Sequence, residues 1–425
     1  MNRRRFLRIM GGAGLAVPGL LAQSGCAPAV INADDGTGLS LGYVTGEVTP
    51  ENALIWLRSE PGSRVTVQYA TAASFGGSYF TEEYAVDDAA DATVKILLEG
   101  LRPSTRYYYR AKVAGKAPGR IASFATAPRP DDNDKVTFCF SGDSRESYRP
   151  FSVMEAVRRQ RPDFFIYLGD TIYADRNGTA RRPEQFWAKY RSNRYDAATQ
   201  HCFAETCVYA TWDDHEVAND YLPTHPLASI GQKAFLDYWP VRCPAPDANR
   251  IYRSFRWGKA AELFILDTRQ YRDLKIGSML WQSQKAWLLD GIANSSALFK
   301  FVATAVPMAG GGRDRWDGYP EERAEIMRFV NDRKLRGVVF LSADLHYAAI
   351  TKIPKSGGLR DITAGPLGAP LNRVTNGTAR RYEFFLAQNF NFAKITVDPR
   401  KDSESALVEF IDQDNRVFHR AKISA

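Results

Sequence analysis

The sequence predicts an α/β domain preceded by an all-β sandwich, and three observations carry that prediction. Residues 38–127 hold several short alternating strands punctuated by Gly and Pro, as in LGYVTGEVTPENALIWLRSE and GLRPSTRYYYRAKV. From residue 135 onward, apolar strand runs alternate with amphipathic helices. Four of those runs stop on an acid, in FCFSGD, FIYLGD, YATWDD and VFLSAD, at Asp143, Asp170, Asp214 and Asp344.

Taken in order, residues 1–29 read as a targeting segment. NRRRFLR precedes IMGGAGLAVPGLLA, which is only mildly apolar and too short to span a bilayer well, and Ala27-Pro28-Ala29 offers an A-x-A cleavage site. Twin arginines followed by Phe6 and Leu7 look like a twin-arginine export signal, which predicts a periplasmic or secreted protein handled by that machinery. Cys26 after Ser24-Gly25 loosely resembles a lipidation site, so any membrane contact is expected through the signal or that cysteine alone. Residues 30–37 read as a linker and 128–135, PRPDDNDK, as a Pro- and Asp-rich joint. Beyond it, VTFCF, DFFIYLGD, CVYATWDDHE, LFILDT, KFVATAVPM and GVVFLSADLH read as strands. YRPFSVMEAVRRQ, EQFWAKYRSNRYDAAT, SQKAWLLDGIAN and EERAEIMRFVNDRKL read as helices, and the C-terminal stretch reads as a hairpin completing a sheet.

Composition narrows the partners. The formal charge is +8, four charges of which come from Arg3, Arg4, Arg5 and Arg8, so the rest of the chain stands near +4. That mild bias, with no basic run interleaved with aromatics, suits small anionic substrates and argues against a nucleic-acid partner. Cys202 and Cys207 are close enough for a local disulfide in an oxidising compartment, while Cys139 reads as a buried strand residue.

The chemistry concentrates where strands end. VYATWDDHEVAND, residues 208–220, crowds Asp213, Asp214, Glu216, Asp220 and His215 after an apolar strand, a cluster whose repulsion and desolvation a cation relieves. Ligands in such sheets sit at carboxyl strand ends, so Asp143, Asp170, Asp214 and Asp344 are expected in one crevice. Tyr173 follows Asp170 by three residues and His346 follows Asp344 by two. A two-metal hydrolase site bridges its ions with one carboxylate, and Asp170 is the natural bridge. The oxygen-rich set, with at most two of five histidines, favours hard cations: Ca²⁺, Mg²⁺, Mn²⁺ or, given a Tyr173 phenolate, Fe³⁺.

The series GD, GDTIYAD, WDDHEVAND and SADLHYA resembles the metallophosphoesterases, specifically their alkaline phosphatase D (PhoD-like) branch, and the likeness extends to GEVTPENALIWLR, LDTRQYR, VPM and RWDGY. The resemblance implies a four-layer αββα domain over 135–425 behind an immunoglobulin- or fibronectin-like sandwich. It implies two or more metal ions, Fe³⁺ and Ca²⁺ foremost, and hydrolysis of a phosphomonoester or phosphodiester by in-line attack of metal-activated water. Carried over by motif, Asp143, Asp170, Tyr173, Asp214, Asp344 and His346 are the metal ligands. The chain departs from the branch at Asp143, where a cysteine is common. It departs from the wider superfamily at Arg145, which stands in place of a histidine. His215 is the candidate proton donor to the leaving group, with a carboxylate-orienting role as the alternative. Arg145 is the candidate bidentate phosphate clamp. Asn219 is a candidate phosphate contact, and Arg315 and Trp316 are candidate substrate contacts on a glycine-hinged lid over 309–320. Asp267 and Arg269 read as a supporting ion pair. The competing reading is a non-catalytic, metal-stabilised surface binding protein on the same fold.

Overall fold

The computed structural model describes residues 36–372, 381–402 and 404–425; the segment read as an export signal and Cys26 lie outside the described residues. Alternating burial builds the sandwich. Its strands are β1 (Tyr43–Gly46), β2 (Ala53–Arg58), β3 (Arg64–Ala70), β4 (Tyr79–Phe80), β5 (Tyr84–Ala85), β6 (Thr93–Leu98), β7 (Arg106–Val113) and β8 (Ala122–Ala125). One sheet runs β1-β2-β6 and the other β4-β3-β7-β8, with β5 on β3. In β3, Val65 and Val67 are buried while Arg64, Thr66 and Gln68 between and beside them are not, the period-2 pattern of a sheet with one wet face.

The larger domain is four layers. A six-stranded sheet is built around β9 (Val136–Ser141), β10 (Phe164–Leu168) and β11 (Cys207–Thr211), parallel neighbours in the order β11-β10-β9. A seven-stranded sheet faces it, built on β12 (Arg253–Trp257), β13 (Ala261–Ile265), β14 (Phe299–Ala303), β15 (Val338–Ser342), β16 (Ala348–Lys352), β17 (Arg360–Thr363) and β18 (Tyr382–Leu386). The C-terminal β19 (Asn391–Val397), β20 (Ser405–Asp412) and β21 (Val417–Ser424) extend the first sheet as three antiparallel strands, one more than a hairpin. Phe138 and Phe301 meet edge-on between the sheets at 4.9 Å, in a core continuous with Phe164, Leu263 and Leu341. These strands are buried on both faces and so read as unbroken apolar runs.

Helices cover the outer faces. α1 (Ser152–Arg159), α2 (Pro183–Arg194), α3 (Ala197–Glu205) and α4 (Ala228–Tyr238) pack on the six-stranded sheet. α5 (Trp281–Asn294) and α6 (Pro320–Asp332) pack on the other. The single helix read over 184–199 is two, because the Asp196 side chain caps a new start by accepting from the Thr199 amide at 2.9 Å. Cys202 and Cys207 are both free and buried. Cys202 lies in the helix-side core and Cys207 in the inter-sheet core, so the sheet separates them and the local disulfide does not form. The sandwich is tied down by Trp56, whose indole donates to the Asp237 carbonyl at 2.7 Å, and by Glu47, paired with Arg253 at 2.6 Å.

Candidate metal centre

Strand order brings the acids together. Asp143, Asp170 and Asp213-Asp214 follow β9, β10 and β11, three adjacent parallel strands, so their carboxylates emerge side by side. Asp344 arrives from β15 in the facing sheet, and its amide donates to Asp143 Oδ1 at 3.2 Å across the gap. Asp143, Asp170, Asp344 and His346 all take left-handed backbone, with φ of +67°, +50°, +64° and +56°. Four non-glycine residues in that region around one crevice mark strain held by the surrounding structure. Two glycines make room: a Cβ on Gly169 would stand 2.5 Å from Asp213 Cβ, and one on Gly365 would stand 2.6 Å from Asp143 Oδ2.

Two ligand groups share one residue. Asp143, Asp170 and His346 each present a donor atom within 4.8 Å of the others, and so do Asp170, Asp214 and His215. A third group, Asp213, Asp214 and Asp344, adjoins them. His346 Nδ1 lies 2.6 Å from the Pro370 carbonyl, so it carries the proton and Nε2 keeps its lone pair. That Nε2 is 3.2 Å from the Tyr173 hydroxyl, and the Tyr173 ring stacks on His215 at 4.2 Å.

The electrostatics are uncompensated without a cation. Burial, then neighbouring carboxylates, push Asp143 and Asp170 well above the usual carboxylate range. Burial also pushes Asp213 well up despite Arg269. Burial raises Asp214 too, but Arg269, His215 and the Asp220 amide outweigh it and hold Asp214 low. Burial and the nearby Asp170, Asp143 and Asp214 drive the Tyr173 phenol well up. Asp143 Oδ2, Asp213 Oδ2 and Asp214 Oδ1 are buried with no hydrogen-bond partner. Orphaned carboxylate oxygens on these strand ends fit a cation, because a buried acceptor left unmade costs about 1–3 kcal/mol and a charged one more.

Several expected roles change. Trp316 is fully buried in the core beneath α5 and α6, its indole donating to Thr304 Oγ1 at 3.0 Å, so it is a core anchor and not a substrate contact. Arg315 clamps both oxygens of Asp344, at 2.6 and 2.7 Å, which commits its fork to a carboxylate instead of substrate. The 309–320 loop is pinned by those contacts and by Asp317, which accepts from Gly310 N and Arg323, and so is no hinged lid. Arg269 pairs with Asp213 at 2.5 Å and with Asp314 through two nitrogens, not with Asp267; Asp267 instead accepts from the Trp212 indole and the Arg269 amide. Arg145 lies at the rim, its guanidinium on Asn177 Oδ1 at 3.2 Å. Asn219 is exposed, its amide oxygen accepting from Arg176.

Other contributors went unread. Asp175 holds His215 Nδ1 at 2.7 Å. Burial lowers His215, but Asp175 and Asp214 more than reverse that and favour the imidazolium. Glu216 accepts from the amides of Asp170, Thr171 and Asp213 and from Thr171 Oγ1, lacing the loops after β10 and β11 together. Asp175 stands inside GDTIYAD two residues after Tyr173, a position at which its reach to His215 could have been suspected. Asp314 carried no sequence signal.

The model of the PhoD-like phosphatase family matches residues 138–382, and that of the PhoD-like phosphatase N-terminal domain matches residues 25–128. The chain is 25% identical to alkaline phosphatase D of Bacillus subtilis (strain 168) over 420 residues, covering 81% of this chain and 71% of that protein. Among solved structures, a PhoD structure superposes with a TM-score of 0.81 at 20% identity, covering 92% of this chain and 90% of that one. Purple acid phosphatase PPD1 from yellow lupin seeds superposes with a TM-score of 0.69 at 14% identity, covering 90% and 74%. The family match spans more than half the chain, and the chain belongs to the PhoD-like phosphatases, metal-dependent phosphoester hydrolases.

Proposed function

We propose that two cations would be held here, one by Asp143, Asp170, Tyr173 and His346 and the other by Asp170 and Asp214, and that phosphoester substrates are hydrolysed at this site. The observation that carries this reading is that two ligand groups meet on the one Asp170 while carboxylate oxygens in each are left without protein partners. Cations bound there supply Lewis-acid chemistry, polarising phosphoryl oxygens and acidifying water. The chain's own residues supply the rest. His215, oriented through Nδ1 by Asp175, whose carboxylate favours the imidazolium, is the group that would protonate the leaving oxygen. The Tyr173 ring fixes the imidazole plane from one face. Arg145, with its Nε buried and unpartnered, and Arg176 line the rim as anion contacts.

The oxygen-rich donor set supports hard cations, Fe³⁺ and/or Ca²⁺ ahead of Mg²⁺ or Mn²⁺ in our reading, and Tyr173 bears on Fe³⁺ alone, since ionising so disfavoured a phenol takes a strong Lewis acid. Export through the twin-arginine route to the periplasm or exterior is the accompanying proposal, supported by residues 1–29; Arg4→Lys with Arg5→Lys should hold the precursor inside. Asp170→Asn tests the central reading: turnover of an aryl phosphate and a bis-aryl phosphate should both collapse. Wild-type turnover of either would defeat it, and the wild-type ratio of the two ranks monoester against diester.

A further inference from the structure

The sandwich carries a groove that the phosphoesterase reading does not use. A cleft of about 520 Å³ is lined by Tyr69, Tyr79, Tyr107, Glu99, Leu101 and Arg102. Tyr79 on the two-residue strand β4 is 61% exposed, although a tyrosine ring is a large apolar body that folding normally covers. Its ring stacks on Tyr69 at 5.5 Å, and Tyr69 leans on Tyr107 at 6.3 Å, so the platform is backed by two further rings. Tyr107 is held in turn: its hydroxyl accepts from the Arg102 amide at 2.9 Å and its ring stacks on Phe124.

The charged groups on this groove narrow the ligand. Glu99 and Arg102 are both exposed at its edge, and neither side chain makes an ion pair or hydrogen bond among the described residues. A carboxylate accepts only and a guanidinium donates only. An anion meets Glu99 unfavourably and a cation meets Arg102 unfavourably. A neutral ring bearing hydroxyls suits both, since a hydroxyl can donate to a carboxylate and accept from a guanidinium. A sugar ring adds an apolar C–H face, the natural partner of an exposed tyrosine. A peptide strand is less well served, because β4 at the sheet edge offers a ladder only two residues long. The volume falls in the range of small-ligand sites.

We propose that this groove of the sandwich binds a neutral glycan, stacking a sugar ring on Tyr79 and hydrogen-bonding its hydroxyls to Glu99 and Arg102. The sandwich then tethers the hydrolase to carbohydrate-bearing surfaces, independently of the metal centre.

The test is calorimetric titration of the purified full chain with neutral hexose and N-acetylhexosamine hexasaccharides, beside an anionic uronate oligomer and an extended hexapeptide. Binding of at least one neutral hexasaccharide is expected. Tyr79→Ala should weaken it about tenfold, and Glu99→Gln with Arg102→Gln should weaken it further. Aryl phosphate turnover should stay at wild-type level in all of these variants, as none touches the metal centre. No binding to any neutral oligosaccharide overturns the proposal, as does preference for the uronate or the peptide, or undiminished binding by Tyr79→Ala. Loss of turnover with glycan binding intact would instead count against the phosphoesterase assignment alone.

Discussion

Two halves of one crevice solve the same problem in opposite ways. Where the seven-stranded sheet supplies arginines, carboxylates are matched by protein cations: Arg315 forks onto Asp344, Arg269 and Arg272 hold Asp314, and Arg269 also reaches across to Asp213 at the end of β11. On the side of the six-stranded sheet, Asp143 and Asp170 face no arginine or lysine within salt-bridge distance among the described residues; Asp143 has only His346, at 3.8 Å. Asp214 stands between, 3.9 Å from Arg269 with Oδ1 unpartnered. A fold that can place an arginine against a buried carboxylate has done so on one side and left the other open. Buried charge is tolerated only when paired or metal-bound, so the open side is where the chain depends on cations from outside.

Breaking the open side should have the largest effect. Asp143→Asn is expected to cut phosphoester turnover by about a thousandfold or more while the protein stays folded, because it removes a proposed ligand and also relieves carboxylate repulsion. Steady-state kinetics with a melting curve on the same sample check both halves of that statement. At the junction, His215→Ala should lower kcat by about 10²–10³ on an alkyl phosphate and much less on a nitrophenyl phosphate, whose leaving group needs no proton. Equal losses on both substrates would leave His215 an orienting residue.

Breaking the compensated side should act on stability first. Arg269→Met strands Asp213 in the interior, while Asp314 keeps Arg272, and is expected to cost about 3–5 kcal/mol by denaturant unfolding. Adding Asp213→Asn should recover part of that loss, and a fully additive double variant would show that the pair is not coupled.

The smallest effect sharpens the comparison with a third kind of acid. Asp361 is fully buried and, among the described residues, pairs with neither a candidate metal-ligand group nor an arginine; it accepts from the Met308 amide and from Ser342 Oγ, each at 2.8 Å. Burial raises it to about 7, outweighing those two bonds. A folded value above the unfolded one means protonation favours the fold. Its contribution is whole below about pH 4 and is lost as pH rises through about 7, at up to about 1.4 kcal/mol per unit. Asp361→Asn should therefore gain on the wild type as pH climbs from 5 to 8, measured by urea midpoints. A constant difference across that window would show that Asp361 does not titrate there.

How much of this was legible in the sequence follows from the kind of signal each feature leaves. The strand-terminal acids were readable because an apolar run that halts on aspartate carries its position with it, and Asp143, Asp170, Asp214 and Asp344 do meet in one crevice. The α/β class was readable from strand–helix alternation, while the four-layer order came only with the family resemblance. The compensating arginines were not, because Asp314 and Arg269 are 45 residues apart and only folding makes them neighbours. Trp316 misled for a related reason. In a glycine-rich loop an aromatic suggests an exposed contact, but its indole found Thr304 and a core to fill. Arg315 is similar: a cation beside a predicted metal site suggests substrate, while the nearest unpaired carboxylate was the protein's own.

The division of the crevice is tested most directly by elemental analysis of the purified chain beside Asp170→Asn, both checked for folding. The account predicts two or more metal ions per wild-type chain, with a violet tint where Tyr173 meets iron, and the loss of at least one ion in the variant. A wild-type chain that turns over phosphoesters without metal, or an Asp170→Asn chain that keeps its full complement, would contradict it.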